Sequence, residues 1–164
     1  MKALSNFRLA FVALALALSA CAAYDGHTLR AGASSESEVR SLMGVPAVEL
    51  ADADGSKVLA YPHGPLGTTT YMARVGKDGT LEGVRQALTD GTFNQIRPGL
   101  TRDDVLRLIG PPGETMFFAR LNQDSWGYRY KDTWGYLAVF SVNFDSNGVV
   151  VSKFTRRIER GGFL

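Results

Sequence analysis

Cysteine is nearly absent: Cys21 is the only one in the 164 residues. That excludes a disulfide within the chain and a cysteine zinc cluster, and beyond this one residue it excludes a thiol nucleophile. Histidine is scarce too, and His27 and His63 stand in no metal-ligand spacing. There is no Gly-x-Ser-x-Gly elbow, no phosphate-binding glycine loop and no His-Glu-x-x-His motif. The adjacent acids Asp103 and Asp104 are explained by their place at a helix start, where carboxylates complement the dipole. We therefore expect no catalytic residues, no metal and no cofactor. Long apolar runs are also missing. The longest covers residues 9–18, well short of the ~20 that span a bilayer. Nor is there an excess of one charge. The formal +2 comes from Lys2 and Arg8, and without them 16 basic side chains face 16 acidic ones. Such a balance gives no whole-molecule field to draw in nucleic acid.

What is present begins at the N-terminus. Lys2 and Arg8 precede the apolar run, and the small residues Ser19 and Ala20 follow it. This is the form of a secretory signal over residues 1–20. Leu18-Ser19-Ala20-Cys21 resembles the lipobox of bacterial lipoproteins. That resemblance implies a diacylglycerol on the Cys21 thiol, cleavage before it, and acylation (palmitate) of the new amino terminus. Two or more acyl chains anchor stably where one binds reversibly. Ala22, in place of aspartate, implies by the same resemblance the periplasmic face of the outer membrane, although Asp25 lies nearby. The alternative is an ordinary signal peptide with an incidental cysteine. Residues 22–28 are small and polar, and 21–28 reads as a lipidated tether.

The chain then repeats itself. Ser35, Glu38, Val39, Gly44 and Pro46 recur as Thr101, Asp104, Val105, Gly110 and Pro112, at a constant offset. Ser35 or Thr101 can cap a helix, and the acid three residues on can bond back to the cap. Val39, Leu42 and Met43, like Val105, Leu108 and Ile109, form one apolar stripe at helical spacing. A glycine then stops each helix and a proline prevents its resumption. Strands are predicted after each helix, over 57–61, 68–75 and 80–88 in the first copy. In the second they are predicted over 115–120, 124–131, 136–144 and 149–158, with turns at Gly76-Lys77-Asp78-Gly79 and Asp145-Ser146-Asn147-Gly148. The expected fold is α+β, with two tandem units of short helices packed on an antiparallel meander of about three strands. The units are expected over 29–90 and 91–164, with the junction at 86–93.

The run Gly-Leu-Thr-x-x-x-Val-x-x-x-Ile-Gly-x-Pro at 99–112 resembles the signature of the BamE (SmpA/OmlA) family of outer-membrane lipoproteins. Ile96-Arg97, Trp126-Gly127-Tyr128 and the hairpin over 142–149 support it. The resemblance implies two helices on a three-stranded antiparallel sheet. It also implies an accessory role in folding β-barrel proteins into the outer membrane, with contacts to other subunits and phospholipid headgroups and no catalysis. The first copy matches only through its helix and Gly-x-Pro core, and the family's usual segment between lipid and domain is not recognisable. A tandem paralogue is the expected identity. Tandem helix-plus-sheet units also resemble the secreted β-lactamase inhibitor proteins, which leaves an inhibitor-like or adhesion module, binding a periplasmic enzyme or cell-wall polymer, as the alternative.

Two groups of residues are candidates for contact. Trp134, Tyr136 and Tyr130 are candidate anchors for a protein partner, since Trp and Tyr are enriched at interfaces. Trp126 and Tyr128 alternate along a strand and are expected in the core. Lys153, Arg156, Arg157 and Arg160 are candidates for anionic headgroups, with a solvated, charged strand edge as the alternative.

Overall fold

The computed structural model describes residues 26–64 and 66–158. The signal segment, Cys21 and Arg160 lie outside the described residues.

Two units follow one another, each a helix leading into a four-stranded antiparallel meander. The first comprises α1 (Glu36–Met43), β1 (Val48–Ala51), β2 (Lys57–Pro62), β3 (Thr70–Val75) and β4 (Leu81–Gln86). After a short helix α2 (Asp90–Phe93) comes the second: α3 (Arg102–Ile109), β5 (Glu114–Phe118), β6 (Gln123–Lys131), β7 (Leu137–Phe144) and β8 (Val150–Arg157). Within each sheet the strand order is the chain order. The α+β class and the tandem arrangement are as expected, but each sheet has four strands where about three were expected, although the second sheet's four are the segments predicted one by one. The first unit's extra strand, β1, is only four residues long, too short for alternation to be recognised in the sequence. The helix α2 was likewise unforeseen, being a single turn capped by Thr89.

The units share one hydrogen-bonding plan. The Ser35 hydroxyl accepts from the Glu38 amide at 3.3 Å while Glu38 accepts from the Ser35 amide at 2.7 Å. Thr101 and Asp104 do the same at 3.2 and 2.8 Å. Such reciprocal caps satisfy two of the amides every helix start leaves unpaired. Each start is also bound to the last turn of its own sheet. The Glu36 amide donates to Gly79 O at 2.9 Å, and the Arg102 amide to Gly148 O at 3.1 Å. Gly32 and Leu81 make the same backbone contact as Gly99 and Val150, at 2.8 and 2.9 Å. A register shift also falls late in the third strand of each sheet, at Arg74/Val75 and Asn143/Phe144.

The units differ in what covers their sheets. Alternate residues of β2 point to opposite faces, and Val58, Leu59, Ala60 and Tyr61 are all buried. Leu59 and Tyr61 pack with Val39 and Met43 of α1. Val58, Ala60 and Met72 belong instead to a second cluster with Val105 and Ile109 of α3 and with Phe140, Val142 and Phe144 of β7. The layers therefore run α1, first sheet, α2 with α3, second sheet. A polar seam borders the joint. Arg107 pairs with Asp52 and donates to Ala51 O at 3.0 Å, and Arg85 donates to Leu108 O at 2.7 Å. Partly exposed contacts of this kind contribute about 1 kcal/mol each, so apolar burial holds the units together.

Gly110 is where this packing is tightest. Its φ is +75°, and a Cβ there would lie 2.9 Å from Thr70 Cγ2 and 3.3 Å from Ala60 Cβ. Gly44, its counterpart, has φ +86° but open space around it. We predict that Gly44→Ala lowers unfolding free energy by about 1–2 kcal/mol, the cost of holding a side chain at positive φ with ψ −156°, a region used almost only by glycine. Gly110→Val should cost about 2–5 kcal/mol, because crowding against the first sheet adds to that strain. Urea denaturation of both variants measures this, and equal losses would refute the close inter-unit contact.

Candidate binding face on the second sheet

The two faces of the second sheet have different chemistry. Toward the helices, β6 presents Tyr128 and Tyr130, with Trp126 partly buried, while β7 presents Ala138, Phe140, Val142 and Phe144. The Phe93 ring of α2 stacks on Phe140 at 3.9 Å and meets Tyr130 edge-on at 4.7 Å. Tyr128 donates to Gly110 O at 3.1 Å, and burial raises its pKa far above the usual phenol value. Trp126 and Tyr128 thus occupy the core positions their alternation implied.

Tyr130 is in the core as well, 1% exposed, rather than on the surface beside the other two candidate anchors. Its hydroxyl donates to Asp90 Oδ1 at 2.9 Å, so both ring and tip are used within the fold. Trp134 and Tyr136 are 79% and 60% exposed in the β6–β7 turn. Asp132 shapes that turn by accepting from the Trp134 and Tyr136 amides at 3.0 and 2.9 Å. Arg157 bonds Asp132 at 2.7 Å and lies 4.8 Å over the Tyr136 ring. The exposed aromatics are therefore held by a rigid turn.

The basic residues of β8 do not form one patch. Lys153 and Arg157 pair with Val142 and Ala138 on the helix side, whereas Arg156 pairs with Val139 on the other. Lys153 donates to Phe93 O at 2.7 Å, and burial, with Arg97 nearby, lowers its pKa.

No described element covers the sheet's other face. Cross-strand register sets Arg129, Val139 and Arg156 in one row and Glu114, Gly127, Ser141 and Phe154 in the next. Met116, Ser125, Asn143 and Ser152 follow, then Phe118 with Gln123. The two central strands carry small side chains, while Met116 and Phe118 on β5 and Phe154 on β8 stand up as walls. The result is a groove of about 230 Å³. These wall residues are 60%, 38% and 48% exposed. Gly127 keeps the floor low, since a Cβ there would lie 2.5 Å from Glu114 Cγ. The groove offers apolar walls, hydroxyls and cations, a chemistry of recognition. Among the described residues no His/Cys/Asp/Glu group is placed to hold a metal. None of their helices is long and apolar enough to cross a membrane.

Residues 86–153 match the family model of the outer membrane protein assembly factor BamE domain. This segment is similar to the BamE domain family, a match over less than half of the chain. It takes in α2, α3 and the second sheet as far as Lys153, so Phe154 and Arg156 of the groove lie beyond it, as does the first unit apart from Gln86. No curated protein matches the sequence. Among solved structures the chain is similar to a DUF4309 family protein, YjgB, from Bacillus subtilis subsp. subtilis str. 168. Identity is 14%, with 79% of this chain and 82% of that one covered, at a TM-score of 0.30. It is also similar to a "putative beta-lactamase inhibitor protein" from Streptococcus mutans, at 15% identity, 77% and 84% coverage and a TM-score of 0.33. Likeness at that level carries no functional inference, so the BamE domain is the one that informs the site.

Two tests follow from the placement of the aromatics and of Asp90. Tyr130→Ala should cost about 3–5 kcal/mol, as for other buried aromatic truncations, while Trp134→Ala should change stability by less than about 0.5 kcal/mol. Denaturant melts compare them directly. The Thr133 hydroxyl, against opposing burial and with help from Tyr130, holds the Asp90 carboxyl below its ordinary value. Its stabilisation is therefore complete above about pH 4 and is lost as pH falls through the folded pKa. Asp90→Asn should be less stable than the native chain at pH 7, and the gap should narrow below pH 4. A gap independent of pH would contradict this.

Proposed function

We propose that the chain is a lipid-anchored, non-catalytic binding module that serves outer-membrane protein assembly from the periplasmic face. The observation that carries this reading is the BamE domain over residues 86–153. The Leu18-Ser19-Ala20-Cys21 motif adds the anchor: acyl chains on Cys21 hold the protein at the bilayer, and the small, polar residues 22–28 give it reach. The first unit packs α3 from behind and leaves the far face of the second sheet open. The protein acts by presenting surface to other envelope proteins, and its partners are subunits of the barrel-assembly apparatus.

Cys21→Ala should move the protein from the membrane fraction to the soluble periplasm, and the native polypeptide should carry acyl mass at residue 21. Retention in membranes, or an unmodified residue 21 in mass spectrometry, would count against the anchor. Affinity purification from detergent-solubilised envelopes should recover barrel-assembly subunits. Recovery of a single soluble enzyme would replace this reading with an inhibitor-like one.

A further inference from the structure

The free face of the second sheet is unlike an ordinary solvated sheet face, which alternates charged and polar residues outward. Its floor is small and uncharged, its walls are Met116, Phe118 and Phe154, and its cations gather at one end. Arg129 and Arg156 flank Val139, and Lys131 lies beside Leu137. Among the described residues these three form no ion pair. Glu114 is the lone acid on the face.

From this we infer that the face docks an amphipathic helix of a partner protein, apolar on the side that enters the groove and acidic where it meets Arg129, Lys131 and Arg156. The inference rests on the binding-module reading above and adds the place and the chemistry. Size fits: β5 and β8 are three strand spacings apart, about 14 Å, and a helix is about 10–12 Å across. The opposite face already packs helices in this way, through α2 and α3 on the same sheet. Charge selects the helix, because an acidic segment pairs with the three cations and a basic one meets unrelieved repulsion. Position favours a protein over the bilayer. Gly26 lies against Met43 of α1, at the opposite end of the layered stack from the groove.

Two short synthetic helices test this, one with leucine on one face and glutamate elsewhere, the other with lysine replacing glutamate. Fluorescence anisotropy on the full chain should show the glutamate peptide binding at least about tenfold more tightly, an advantage reduced at about 0.5 M salt. Arg129→Glu with Arg156→Glu should weaken it about tenfold or more, and Phe154→Ser to a similar extent. Melting temperatures of the variants, which change groove residues outside the apolar core, check that the fold is kept. Equal binding of both peptides, or indifference to these substitutions, would overturn the inference. So would a native dimer in sedimentation that Phe154→Ser dissolves, which would make the occupant a second copy. Adsorption to anionic vesicles without peptide binding would make it a membrane. If native chain and the double arginine variant recover the same assembly subunits, the docking inference fails while the proposed function stands. If neither recovers any, the proposed function fails.

Discussion

The structure depends on one helix end being shared by two sheets. Val105 and Ile109 of α3 lie in a cluster that also holds Val58, Ala60 and Met72 of the first sheet and Phe140, Val142 and Phe144 of the second. The chain must leave α3 at Gly110 with a positive φ and an extended ψ while passing within van der Waals reach of Thr70 and Ala60. Only a residue without a Cβ meets both conditions. The helix stop and the joint between the units are consequently the same few atoms. Apolar burial supplies the stability of that joint, and the arginine contacts at its border fix its orientation.

Two units with nearly the same hydrogen bonds have acquired different surroundings, and the difference is written in the second strand of each sheet. In β2 the run Val58-Leu59-Ala60-Tyr61 is apolar without interruption, as in a strand covered on both faces. In β6 the aromatics Trp126, Tyr128 and Tyr130 alternate with Ser125, Gly127 and Arg129, and the small residues on that second side lie low between taller neighbours rather than under a helix. The first sheet is thus filling between α1 and α3, and the second has a side to spare. The BamE match falls on the unit with the spare side.

Much of this was legible in the sequence. The caps at Ser35 and Thr101, the stops at Gly44 and Gly110, and the apolar stripes of α1 and α3 depend on neighbours three or four residues apart, and local chemistry decides them. Most strands were legible for the same reason. β1 and α2 were not, because four residues carry too little periodicity and their partners are distant in the chain. Tyr130 is not the surface anchor expected with Trp134 and Tyr136, because its alternation with Trp126 and Tyr128 puts it on the core face while its exposed neighbours in the chain belong to the turn. Lys153, Arg156 and Arg157 looked like one basic patch because sequence adjacency conceals the strand's alternation. The groove could not be read at all, since it depends on which side chains lie opposite one another across four strands.

The layered order also bears on whether the molecule can be divided. Cut between β4 and α2, the first half would bare Val58, Ala60 and Met72 to water, and the second would bare the side of α3 that rests on them. Neither piece would be a finished globule. The segment that carries the recognisable family signature is therefore not a freestanding module here. The upstream half is its companion, because one apolar cluster runs through both.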